Sequence, residues 1–130
     1  MTKAEYDKLT ENIIGAAIEV HRELGPGLLE SVYEACLIKE LQHRGLKYQS
    51  QVRLPVIYKN EEIGKDFFID VLVEDAVVVE LKAIEIVLPV HEVQLVTYLK
   101  LARKRLGLLI NFNVPVLRDG LHRKVNKLME

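Results

Sequence analysis

Apolar residues recur at helical spacing from Tyr6 to Leu24, with Leu9, Ile13, Ala17, Val20 and Leu24 on one stripe. That pattern predicts a first helix. Gly25-Pro26-Gly27 stops it, because proline cannot continue the hydrogen-bond ladder and glycine takes dihedrals that other residues avoid. A second helix is predicted from Leu28 to Arg44, with Leu29, Val32, Cys36 and Leu41 on its buried side and Gly45 closing it. The period then changes. Lys47 to Tyr58 alternates loosely (Val52, Leu54, Val56, Tyr58) and ends at the turn signal Lys59-Asn60-Glu61. Ile63 to Val73 and Ala76 to Ile84, joined at Glu74-Asp75, are apolar on both faces, which predicts central, covered strands. Pro89 opens a third helix that runs to about Arg105 and buries Leu95, Leu99, Ala102 and Leu106. Gly107 to Asn113 reads as a last buried strand, and residues 114–130 stay open between a short edge strand near Leu121 and a frayed helix. The order α-α-β-β-β-α-β predicts one α/β domain over residues 1–130, a mixed central sheet flanked by helices.

Composition narrows the class. Of the 130 residues 49% are hydrophobic and 28% are charged, enough apolar surface for a real core. No uncharged apolar stretch is long enough for a transmembrane helix, so no membrane partner is expected. Residues 1–5 lack the apolar core of a signal peptide, and Cys36 has no second cysteine to pair with. The chain therefore reads as cytoplasmic. Its net charge of −1 is unevenly spread: residues 94–130 carry eight basic against two acidic side chains, a net of +6. A basic last third is a phosphate-binding face or simply a solvated surface with a basic tail.

The polar residues inside the apolar strands carry the chemistry. Asp70 interrupts Phe67-Phe68-Ile69-Asp70-Val71-Leu72-Val73, and Glu80 and Lys82 interrupt Val77-Val78-Val79-Glu80-Leu81-Lys82-Ala83-Ile84. A carboxylate in a central strand is costly unless paired or bound to a cation. Glu80 and Lys82 share a face, since strand side chains alternate. Asp70 joins them if the hairpin has a three-residue turn at Glu74-Asp75-Ala76, whereas a two-residue turn would set Asp70 opposite Val79. Two carboxylates that close repel and raise each other's pKa unless a cation lies between them. Mg²⁺, with Mn²⁺ as substitute, suits carboxylate oxygens and can activate a water at a phosphoryl group. Lys82 would orient that water or steady the developing negative charge. The rival is a Glu80–Lys82 or Asp70–Lys82 ion pair with no metal.

Helical positions add to this. Gln94 and Tyr98 are four apart and share a face, as a pair touching a substrate backbone would, or as a boundary glutamine and a half-buried tyrosine. Glu30 and Tyr33 follow Gly27; a carboxylate in a first helical turn is also favoured by the helix dipole alone. His21 reads as a satisfied core or capping histidine, and His43, His91 and His122 lack zinc-like spacing.

Asp70, Glu80-Leu81-Lys82 and the element order resemble the PD-(D/E)xK nuclease superfamily and its restriction-endonuclease-like αβββαβ core. Gln94-Leu95-Val96-Thr97-Tyr98 resembles the Q-x-x-x-Y helix motif of its RecB-type branch. Gly27-Leu28-Leu29-Glu30-Ser31-Val32-Tyr33 is similar to G-x-x-E-x-x-Y, the signature of a small prokaryotic family within it. The likeness runs from about Ile13 to Asn113, with Ile69 standing where the superfamily name has proline. It implies Asp70, Glu80 and Glu30 as metal ligands and Lys82 as the catalytic lysine; the Leu81 carbonyl is a further candidate ligand. It places Gln94 and Tyr98 beside the site. Tyr33, Lys100 and Arg103 join them as substrate-positioning candidates.

The expectation is a Mg²⁺-dependent phosphodiester hydrolase acting on DNA, structure-selective or weakly sequence-specific, since phosphate contacts carry no sequence information. Its rivals are a catalytically silent nuclease-fold module that binds nucleic acid or a protein, and a structural partner protein with a coincidental ion pair. A homodimer would supply the two cuts that duplex cleavage needs, although no interface is legible.

Overall fold

The computed structural model describes residues 1–127; Leu128, Met129 and Glu130, at the end of the segment whose type the pattern leaves open, lie outside it. Helix α1 (Lys3–Leu24) starts at a capping box in which Thr2 Oγ1 accepts from the Glu5 N–H and Glu5 Oε1 accepts from the Thr2 N–H. Helix α2 (Glu30–His43) follows the Gly25-Pro26-Gly27 turn. Then come strands β1 (Tyr48–Tyr58), β2 (Glu61–Val73) and β3 (Val77–Lys82), helix α3 (Pro89–Ala102), strand β4 (Leu106–Asn111), a 3₁₀ turn (Leu117–Gly120) and strand β5 (Leu121–Val125). The edge strand near Leu121 is therefore the alternative that forms.

The sheet has the order β1-β2-β3-β4-β5. Only β3 and β4 are parallel, because α3 carries the chain back between them; every other neighbour is antiparallel. Each face has its own core. Leu9, Ile13, Ala17 and Val20 of α1 and Tyr33, Leu37 and Leu41 of α2 cover Val71, Val73, Val77, Val79, Leu108 and Ile110. Leu95, Tyr98 and Leu99 of α3 cover Leu54, Ile69, Leu72, Val78 and Leu109 on the other side. A side chain at Gly107 would meet Leu95 Cδ1 at 2.8 Å, so the glycine lets α3 lie close on β4.

Three expectations are corrected, and one strand irregularity is new. The buried face of α2 is Tyr33, Leu37 and Leu41, while Leu29 is 73% exposed and Val32 is also exposed. Leu29 lies before the helix proper, so it does not set the phase of the buried stripe. Helix α3 ends at Ala102 and Leu106 belongs to β4, since Arg103 turns left-handed at φ 54°. Strand β2 is covered only from Ile69 onward; Glu61–Asp66 are exposed, and Arg53 of β1 bridges Glu62 and Asp66 there at 2.7 Å each. Lastly, the alternation of β1 and β2 breaks at one level. Ile69 packs with the α3 core and Val71 with the α1/α2 core, although a regular strand would put both on one face. The register on either side is unchanged, with Ser50 opposite Val71 and Val52 opposite Ile69. Both strands therefore turn over together at Gln51 and Asp70, and Gln51 holds a left-handed φ of 51°.

Candidate active site

The hairpin between β2 and β3 turns through Glu74, Asp75 and Ala76, and Val73, Leu72 and Val71 pair with Val77, Val78 and Val79. This is the three-residue turn, and its register carries Asp70 opposite Glu80. At that level side chains take over from the backbone ladder. The Asp70 N–H donates to Glu80 Oε1 at 3.1 Å, and the Leu81 N–H donates to Asp70 Oδ2 at 2.8 Å. In a strand the N–H and C=O of one residue point the same way, so the Leu81 carbonyl also faces the Asp70 side. The opposite edge of β3 is occupied, because the Phe112 N–H donates to the Lys82 carbonyl at 2.9 Å.

Glu80 is 7% exposed. Burial first, and then the charge of Asp70, push its carboxyl up to about 9, so it holds a proton at neutral pH. Glu30, the first residue of α2, is solvent-reached but partly desolvated. Its pKa is raised by burial and by Asp70, with Lys82 opposing. Tyr98 is buried against Phe67, ring centroids 5.2 Å apart, and its hydroxyl pKa is raised by burial, then by Glu80 and Asp70. Gln94, one helical turn earlier, is exposed. Lys82 is half-buried at the end of β3 and makes no ion pair among the described residues, so a simple Glu–Lys or Asp–Lys pair is not what forms. The carboxylates of α2, β2 and β3 thus feel one another at the place where β2 leaves β3.

Among the described residues, no three acidic, histidine or cysteine side chains are gathered closely enough to hold a metal ion as they stand. Asp70 and Glu80 engage each other's strand backbone instead, and Glu30 is coupled to them only through its charge. The donor set nevertheless fits a hard divalent cation. It is all oxygen: the carboxylates of Asp70 and Glu80 on adjoining strands, the Leu81 carbonyl on the edge of β3 that faces β2, and Glu30, which feels the charge of Asp70.

Three positioning candidates sit elsewhere. Tyr33 is 0% exposed and stacks on Phe112, centroids 4.5 Å apart at 9°. Its hydroxyl donates to the Gly25 carbonyl and accepts from the Leu28 N–H at 3.2 Å. It cannot touch a substrate; it clamps the turn in which Gly25 and Gly27 take φ of 69° and 95°. Gly27-x-x-Glu30-x-x-Tyr33 is thereby one device: glycine makes the turn, tyrosine locks it, and Glu30 is set at the head of α2. Arg103 caps the far end of α3 beside Lys104, whose Nζ meets Asp75 at 3.0 Å. Asp75 lies in the hairpin turn, and the step from Val77 to Glu80 alone is roughly 10 Å along β3. Lys100 lines a groove with Val96, Arg123, Lys124 and Lys127 between α3 and β5. Neither Arg103 nor Lys100 is brought to the carboxylates.

Two residues of the cluster went unread in the sequence. Glu34 stands one turn after Glu30 on α2, and that spacing is the signal that could have found it, since i and i+4 share a face. Gln51 carried no signal, because only the turning-over of β1 aims it at Asp70. His21 is a satisfied core histidine, Nε2 to the Val114 carbonyl at 2.8 Å, and His91 caps α3 by accepting from the Leu88 N–H.

A protein-family model described as the PD-(D/E)XK nuclease superfamily matches residues 7–124. No curated protein and no solved structure matches the chain.

Proposed function

The chain belongs to the PD-(D/E)XK nuclease superfamily, and from that premise we propose that it is a metal-dependent phosphodiester hydrolase acting on DNA with structure-selective or weak sequence preference. The superfamily carries the nuclease-like character. The observation that supports turnover is the reciprocal bonding of Asp70 and Glu80 at the point where β2 leaves β3, with Lys82 beside them and in no ion pair among the described residues.

Asp70, Glu80, the Leu81 carbonyl and Glu30 would hold Mg²⁺ or Mn²⁺. When bound, the cation supplies a polarised phosphoryl oxygen and a more acidic water. The remaining work belongs to the chain. Lys82 donates from its ammonium to the attacking water or to the charge that develops on the phosphoryl oxygens. Tyr98 borders the carboxylates on the α3 side, and Gln94 presents its amide from the same helical face to the sugar–phosphate backbone. Tyr33 acts one step back, by holding the turn that delivers Glu30. The Gly27…Glu30…Tyr33 signature supports placement in the G-x-x-E-x-x-Y family.

Nicking of plasmid, junction and single-stranded DNA is the test, with Mg²⁺ or Mn²⁺ and with EDTA. Lys82→Ala is expected to lose at least about 100-fold in rate, the scale of one electrostatic donor. Equal activity of wild type and Lys82→Ala on every substrate would sink the reading, and would favour a silent binding module.

A further inference from the structure

Gln51 is an unusual residue to find beside a carboxylate cluster in this conformation. It is not glycine, yet its φ is 51°, a region uncommon for L side chains; the other described non-glycine residues that take it lie in hairpin turns or at the end of α3, whereas Gln51 lies within a strand. It faces Asp70 across the β1–β2 pair at the level where both strands turn over. Its Nε2 donates to Glu34 Oε1 at 2.8 Å and to Asp70 Oδ1 at 3.3 Å. One amide nitrogen therefore directs both protons to carboxylates, one from α2 and one from β2. The other Asp70 oxygen is already held by the Leu81 N–H.

We propose that Gln51 is a positioning residue for Asp70, anchored by Glu34, so that a Glu34–Gln51–Asp70 chain fixes the orientation of the β2 carboxylate for the cation. The inference rests on the nuclease reading above, and it adds two residues to which no motif points. The warrant is general: a ligating carboxylate whose second oxygen is held by a fixed donor is preorganised, and removing such a donor costs about 10–100-fold in metal affinity or activity. The strained backbone is explained on the same terms.

The discriminating variant is Gln51→Gly. Glycine accepts the left-handed backbone without strain, so the substitution deletes the amide while keeping the turn. Its melting temperature is expected at or above that of wild type, a result that a purely structural role for the side chain would not give. Mn²⁺ affinity, read by calorimetry, is expected to fall about tenfold. The Mn²⁺ concentration for half-maximal nicking should shift by the same factor, with the rate at saturating Mn²⁺ within about twofold of wild type. Glu34→Gln, which keeps an acceptor for the amide, should stay near wild type. Glu34→Ala should shift in the direction of Gln51→Gly and add nothing to it. Should Gln51→Gly fail to fold, Gln51→Met, of similar length and without a donor, gives the same comparison. Unchanged Mn²⁺ affinity in the folded variant overturns the positioning role alone. Wild type that neither binds Mn²⁺ nor nicks overturns the nuclease reading, and this proposal with it.

Discussion

Glu80 is the residue at which fold and chemistry pull in opposite directions. Its carboxyl is pushed up to about 9, from an ordinary 4.5, by burial and then by Asp70. The folded chain therefore keeps a proton that the unfolded chain releases. Stability from this group is fully present below about pH 4.5 and is lost as pH rises toward about 9. Metal-free wild type is expected to melt several degrees lower at pH 8.5 than at pH 5.5, relative to Glu80→Gln, which cannot ionise. Thermal melts of the two proteins across that range, in EDTA, check this. Parallel curves would mean that Glu80 is ionised in the fold. Added Mg²⁺ should narrow the gap at high pH, because a cation bound to the native state replaces the proton and stabilises by mass action. Tyr33 shows the reverse case, a motif residue whose chemistry is entirely structural: its hydroxyl holds a turn and its ring fills the core against Phe112.

At the scale of elements, α2 is the piece whose position matters most for the site, since it brings Glu30 and Glu34 toward β2. Its N-terminus has no side-chain cap, so the Tyr33 clamp and the packing of Leu37 and Leu41 hold it in place. Leu37→Ala is expected to cost about 2–5 kcal/mol, the range for deleting a buried leucine, and Leu29→Ala under about 0.5 kcal/mol. Urea denaturation of both variants measures the difference. A larger cost at Leu29 would restore the helix face that the apolar pattern suggests. That pattern misleads for a physical reason. Leu28, Leu29 and Val32 are apolar residues at the surface, as much of any protein surface is, and a period of 3.6 alone does not say which of two adjacent stripes meets the sheet. The hairpin at Lys59-Asn60 is legible because asparagine tolerates the left-handed φ that such turns need, and both turn residues take it.

Across the whole molecule, the carboxylates sit on β2 and β3, while the basic groove lies beside α3 and the edge strand β5. Arg123, Lys124 and Lys127 of the last strand and its exit join Lys100 in the groove beside α3. Arg123 and Lys124 are engaged by Asp7 and Glu92 at 3.0 and 2.8 Å, while Lys100 and Lys127 make no ion pair among the described residues. If nucleic acid runs along this groove, Lys100→Glu with Lys127→Glu should lower the slope of log affinity against log salt by about 0.9 for each phosphate that the variant no longer neutralises. Binding titrations at four or more salt concentrations test that, and an unchanged slope would place the phosphate path elsewhere. Taken alone, the amino-acid sequence determined the element order as far as β4, the division into two helices, a sheet and a crossover helix, and the choice of Asp70, Glu80 and Lys82 as candidates. These follow from local periodicity and from the cost of burying charge, both of which are written in neighbouring residues. Tertiary structure alone decided the hairpin register that pairs Asp70 with Glu80, the inward turn of Tyr33, the distance of Lys100 and Arg103 from the site, and the entry of Glu34 and Gln51 into it. Each of those depends on how separate elements meet. A strand pair that turns over at one level, or a helix rotated by one position, changes which side chains share a cleft without altering any local pattern.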